Sequence, residues 1–133
     1  MGEGGWMVWA GVALGSALGG LLRYGVIDAV TAVADPRFPW GTLVVNVSGS
    51  LAIGVIAAVA SPDSRIVLSP ALRHTLMGGV LGGFTTFSSF SLQTLVLMQT
   101  GELGAALLNV LGSVVLCIAA CAAGWSAGLW WLR

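Results

Sequence analysis

Four long apolar stretches, joined by links of a few residues, limit what this chain can fold into more than any other feature. They run from about Trp6 to Val33, Gly41 to Ala60, Ala71 to Gln99 and Leu103 to Leu132. A hydrocarbon core of about 30 Å takes about 20 helical residues to cross, and each stretch is that long. Within lipid, every backbone N–H and C=O must find a partner inside the protein, which leaves helices or closed barrels. These runs are continuous rather than alternating, so helices are expected. Composition agrees: 57% of the residues are hydrophobic and 8% charged, against about 25% charged in a soluble domain. The expected fold is an all-α membrane protein with four transmembrane helices. It forms one unit over residues 1–133, multi-pass in the cell membrane and surrounded by lipid.

The links are too short to hold a soluble domain, so the chain acts inside the bilayer. "DPRFPW", Asp35 to Trp40, parts the first two stretches with two prolines. "SPDSR", Ser61 to Arg65, and Ser69-Pro70 form the next link, and "TGE", Thr100 to Glu102, the last. A net charge of zero and the lack of a Lys/Arg cluster argue against nucleic acid and against headgroup recognition. His74 is the single histidine, beside Arg73 at a segment start, and no metal-ligand cluster is present, so the chain is not read as an enzyme. Glu3 and the absence of a basic start favour a retained first helix over a signal peptide. Tryptophans fall mainly near segment ends, as at a membrane interface. Arg65, Arg73 and Arg133 share one side, and Arg37, with Arg23 if it reaches that surface, the other. So weak a bias permits insertion in both orientations. Four short helices also enclose little space, so a transport path calls for a second subunit.

Polar groups within the stretches are the functional candidates, because lipid makes them costly. Arg23, in "GGLLRYG", either snorkels to the interface or lines an anion-attracting vestibule. Asn46, in "TLVVNVSGS", offers two donors without a charge; Ser50 follows on the same face. Asn109, Ser113, Cys117 and Cys121 recur every four residues and form one stripe on a helix. Two cysteines so close on one helix fit a disulfide poorly. Small residues at the same spacing form ridges for close helix packing: Gly11, Gly15 and Gly19; Ser50 and Gly54; Gly78 and Gly82; Gly124 and Gly128.

The third stretch holds "GGFTTFSSFS", Gly82 to Ser91. Double glycine followed by Thr85-Thr86 has poor helix propensity, so the third helix is expected to break near mid-membrane. Backbone freed at that depth survives only where protein buries it or where it lines a cavity. Freed carbonyls are ligands for a hard cation. Phe87 and Phe90, three apart, share a face. An aromatic ring has a positive edge, so ring edges beside hydroxyls such as Thr86 suit an anion.

"GGLLRY", Gly19 to Tyr24, "GTLVVNVSG", Gly41 to Gly49, and "GGFTTFSSFS" occur in this order on the first three stretches. In these motifs, and over nearly its whole length, the chain resembles the Fluc (CrcB-type) fluoride channel family. The resemblance implies an antiparallel, dual-topology dimer, of identical or related subunits, with two fluoride pores. It implies pore roles for Asn46, Phe87, Phe90, Thr86, Ser113 and Asn109, a vestibule role for Arg23, and Na⁺ held on the dimer axis by the main-chain carbonyls of Gly82 and Thr85. The implied activity is passive fluoride export. Two other readings compete: a small multidrug-type exporter, disfavoured by the lack of a central membrane carboxylate, and a non-transporting assembly subunit, which leaves Asn46 and the aromatic-hydroxyl stretch unexplained.

Overall fold

The computed structural model describes residues 5–61, 64 and 66–132. Its first helix, α1, spans Gly5–Thr31 and its second, α2, spans Trp40–Val59. The third apolar stretch is composite. It comprises α3 (Pro70–Arg73), a π-helical run (His74–Leu81), α4 (Gly82–Phe84) and α5 (Phe87–Gln99). The last helix, α6, spans Leu103–Trp131. Four helical stretches are thus long and apolar enough to cross a membrane: Gly5–Thr31, Trp40–Val59, Pro70–Gln99 and Leu103–Trp131.

Local chemistry sets several of the ends. Ser69 caps α3 by accepting from the Leu72 N–H at 3.2 Å, and Pro70 sits where the missing N–H costs nothing. Between α5 and α6 the chain turns at Gly101, whose φ of 83° favours glycine. In the α1–α2 link, Arg37 grips the Asp35 carboxylate, with Nη2 at 2.7 Å from Oδ2. It is the only ion pair among the described residues.

Packing rests on small residues. The most extensive contact is between α2 and α6. Gly54 lies against the Cys121 carbonyl and the Trp125 N–H, and Gly124 against the Leu51 carbonyl. A side chain at either position would run into backbone. The second layer sets α1 against the π-helical run and α4. There Gly15 abuts Thr75, Gly79 and Val80, and Gly19 abuts the Val80 carbonyl and Phe84.

One expected ridge is shifted within the chain. Gly79 and Gly83 pack on α1, against Val12, Gly15 and Ser16, whereas Gly78 and Gly82 do not. A Cβ on Gly78 would meet nothing within 4 Å, and one on Gly82 only the Met77 carbonyl of its own stretch, at 3.8 Å. The paired glycines offer two parallel ridges one residue apart. Spacing alone cannot say which ridge faces α1.

The distribution of side chains is that of a lipid-embedded protein. Leu14, Leu21, Leu107, Val115 and Ile118 are exposed, while Thr42, Thr86, Thr94, Asn109 and Ser113 are buried. Trp6, Trp9, Trp130 and Trp131 are exposed close to helix ends.

Candidate functional site

The site is built around two residues of the third stretch. Gly82–Phe84 are helical, so the double glycine itself does not interrupt the stretch. Thr85 and Thr86 are extended, with φ −81°, ψ 158° and φ −150°, ψ 112°. Thr86 then caps α5, its Oγ1 accepting from the Ser89 N–H at 3.2 Å. The threonines suit this work: β-branched chains favour extended backbone, and a hydroxyl caps a helix start well.

Side chains from α1 and α2 meet the main chain released here. Asn46 Nδ2 donates to the Thr86 carbonyl at 3.0 Å, and the Thr86 N–H donates to Asn46 Oδ1 at 2.8 Å. In a continuous helix that N–H would serve the Gly82 carbonyl. Arg23 Nη1 donates to the Thr85 carbonyl at 3.4 Å. The Thr85 N–H and hydroxyl both remain on the Leu81 carbonyl, each at 3.0 Å.

A groove of about 480 Å³ runs beside this interval. Asn46, Gly82, Thr85, Thr86, Phe87, Phe90 and Ser113 all line it, together with Ser50 and Cys117. α2, the third stretch and α6 therefore contribute to one surface. Among the described residues, no charged side chain lines it. Phe87 and Phe90 stand 5.2 Å apart, centroid to centroid, with their planes inclined at 49°. Their settings differ: Phe87 is 78% exposed and Phe90 only 8%. Apolar side chains, amide and hydroxyl groups and carbonyl oxygens are thus gathered in a neutral cleft. Such a surface can exchange an ion's water shell for fixed dipoles.

Two residues expected in the site lie apart from the groove lining. Arg23 touches the interval from the α1 side. Asn109 is 2% exposed and faces Thr94 of α5. It donates to Thr94 Oγ1 at 2.9 Å and accepts from Ser113 at 3.5 Å, while Thr94 donates to the Phe90 carbonyl at 2.8 Å. The expected stripe on α6 therefore divides, with Ser113 and Cys117 lining the groove and Asn109 joined to α5. Cys117 and Cys121 are free thiols.

Thr94 was not singled out from the sequence. The signal available was a hydroxyl one turn after Phe90. Thr42 and Gln93 were also missed. They line a second cavity of about 410 Å³ beneath the Asp35–Arg37 link. Thr42 Oγ1 and Gln93 Oε1 are buried there with no hydrogen-bond partner among the described residues. Beside them, at the exposed surface, the Arg37 guanidinium holds the Asp35 carboxyl well below its ordinary range, at about 2, chiefly by hydrogen bonding.

Comparison with known proteins gives a consistent result. The family model for CrcB-like protein, Camphor Resistance (CrcB), matches residues 10–125. A protein of Paramagnetospirillum magneticum named fluoride-specific ion channel FluC is 53% identical over 114 residues, covering 86% of this chain and 89% of that one. Proteins of the same name from Opitutus terrae and Rhodospirillum rubrum are 52% and 48% identical. They cover 82% and 84% of this chain, and 83% and 87% of their own lengths are matched. These relatives are named as channels, not enzymes. With four membrane-crossing stretches and a match running from α1 into α6, the chain is a multi-pass integral membrane protein and belongs to the CrcB family.

Proposed function

We propose that this chain is a fluoride-selective ion channel subunit, and that two copies in opposite orientations conduct fluoride passively out of the cytoplasm. The observation that carries the reading is the groove. It gathers Asn46, Thr86, Phe87, Phe90 and Ser113 from three membrane segments onto one uncharged surface, in a chain about half identical to proteins named fluoride-specific ion channels.

Fluoride is small and strongly hydrated, so a path through lipid has to replace its water. Asn46 and the hydroxyls supply donors, and the rings of Phe87 and Phe90 supply positive edges. Hydrogen fluoride crosses membranes and dissociates in a less acidic cytoplasm, leaving the anion trapped. A passive path then lets the membrane potential drive it out. Arg23 adds a positive field on the approach, which favours anions. The open side of the groove, where Phe87 is exposed, suits closure by a second copy or a related subunit. Among the described residues, no other helix packs on the Gly78–Gly82 ridge, which suits close contact with that partner.

Na⁺ on the dimer axis is part of the proposal. The residues present fit such an ion as a half-site. The Gly82 carbonyl has lost its helical N–H partner to Asn46, the Thr85 carbonyl takes only the long 3.4 Å bond from Arg23 Nη1 and keeps a second lone pair, and both residues line the open groove. Neutral main-chain oxygens suit a hard monovalent cation, whereas divalent ions recruit carboxylates. Gly82 and Thr85 of each copy would hold it, and its contribution would be a fixed positive charge joining the two interrupted stretches.

The test is fluoride efflux from liposomes containing this chain alone. Rapid efflux that chloride does not match is expected. Proton-coupled efflux of organic cations would favour a multidrug-type exporter instead, and no flux of any kind would favour an assembly subunit.

A further inference from the structure

Asn46 does two things to Thr86 at once. Its Oδ1 takes the N–H and its Nδ2 serves the C=O, across 40 positions of sequence. The two bonds fix which way the carboxamide faces, because turning it over would oppose N–H to N–H and oxygen to oxygen. The carboxamide therefore stands where a neighbouring peptide unit would stand in a sheet. Thr86 is buried, so water is a poor substitute for either bond. Helix α5 begins at the next residue, Phe87. On the other flank, Arg23 reaches the Thr85 carbonyl.

We propose that Asn46 is first of all a positioning residue: its side chain acts as a substitute peptide unit that holds Thr86 extended and so sets where α5 starts and how Phe87 and Phe90 are aimed. One of its two amide hydrogens is committed to Thr86, which leaves a single N–H for the groove. The inference concerns the chain without fluoride. It rests on the channel reading only for its consequence on flux.

Exchange of the Thr86 amide hydrogen, followed by NMR in lipid vesicles without fluoride, reads this role directly. In Asn46→Ala it is expected to speed up about tenfold or more, equivalent to about 1.4 kcal/mol, while amides in α6 keep their protection. A side chain serving only as an ion ligand would leave Thr86 unchanged in the absence of fluoride, and that result overturns the proposal. Asn46→Asp is the second variant, useful if the alanine variant fails to fold. A neutral carboxyl can donate O–H to the Thr86 carbonyl and accept from its N–H, whereas a carboxylate repels that carbonyl. The carboxylate still accepts from the Thr86 N–H, so the group that reads its ionisation is the Thr86 carbonyl: its ¹³C shift in Asn46→Asp is expected to move as the carboxyl ionises and to return on acidification, while the parent's stays fixed. A Thr86 carbonyl shift that ignores the ionisation of Asn46→Asp overturns the proposal. Fluoride efflux measured on the same preparations separates the two readings. A parent protein that passes no fluoride, yet loses Thr86 protection in Asn46→Ala, supports this inference and removes the channel reading.

Discussion

Asn109 donates to Thr94 across 2.9 Å, tying α6 to α5 at a point where both side chains are buried. Interhelical hydrogen bonds in membranes average about 0.6 kcal/mol and reach about 1.7. Leaving a buried partner unpaired costs more, about 1–3 kcal/mol. Thr94→Val should therefore lower thermal stability in detergent by about 1–3 kcal/mol, because it strands the Asn109 amide. The double variant Thr94→Val, Asn109→Leu should lose less than Thr94→Val alone. Additive losses, read from melting curves of Thr94→Val, Asn109→Leu and the double variant, would show that the pair is not coupled.

Phe87 and Phe90 should part company when each is changed to isoleucine. Both variants are expected to lose fluoride flux through the proposed pore. Only Phe90→Ile should also lower the stability of the single subunit, since Phe90 is buried within it, whereas Phe87 is 78% exposed on the face proposed for the second copy. Liposome efflux and melting curves on one preparation check both halves. Near-normal flux in both variants would count against the aromatic role.

Gly82→Val and Gly124→Val should fail in different ways. At Gly124 an added Cβ meets the Leu51 carbonyl, so the α2–α6 contact opens and folded protein should be lost. At Gly82 an added Cβ meets nothing nearer than the Met77 carbonyl at 3.8 Å. The chain should fold, while pairing of two copies and any Na⁺ dependence of that pairing should suffer. Thr85→Ser, which keeps the main chain, should be mild. Cross-linking yield with and without Na⁺ reads the difference, and a fully dimeric Gly82→Val protein would refute the interfacial role of that ridge.

The Asp35–Arg37 link predicts a pH response. The Asp35 carboxyl lies at about 2, below its ordinary 3.8, and the Arg37 guanidinium is correspondingly raised. A depressed carboxylate contributes fully above its ordinary pKa and is lost as pH falls through the lowered one. The link should therefore be intact from neutral pH down to about 4, and flux should be indifferent to it there. The Asp35 carboxyl signal should titrate near 2 in the parent and return towards about 3.9 in Arg37→Gln. An unshifted midpoint in the parent would rule the pair out in solution.

The four helices were legible in the sequence because lipid leaves a backbone few alternatives. The finer layout was less so, for identifiable reasons. Propensity marked the whole run of Gly82-Gly83 and Thr85-Thr86 as weak without saying which residues leave the helix; Gly82 and Gly83 are helical, and Gly83 provides close approach to Ser16 of α1. The extended residues are Thr85 and Thr86, where Asn46 lies ready to take the main-chain groups. That partnership spans two segments and leaves no local pattern. Four-residue spacing found the α6 stripe but could not reveal that Asn109 meets Thr94. Phe87 and Phe90 were legible as a pair, though their unequal burial depends on neighbours from other helices.

The π-helical run His74–Leu81 has a consequence for how the third stretch tolerates changes in length. Its wide turns spend extra residues before Gly82 is reached. In ordinary α-helical geometry each residue advances the chain by about 100° around the axis. Removing one residue from the run would let its wide turns tighten to α-helical ones, leaving Gly83 on α1 and Thr86 beside Asn46. Removing one from the α-helical turn that follows, Gly82–Phe84, would instead swing Thr86 away. The run works as slack in the third stretch: it absorbs a change of one residue that the helix after it cannot.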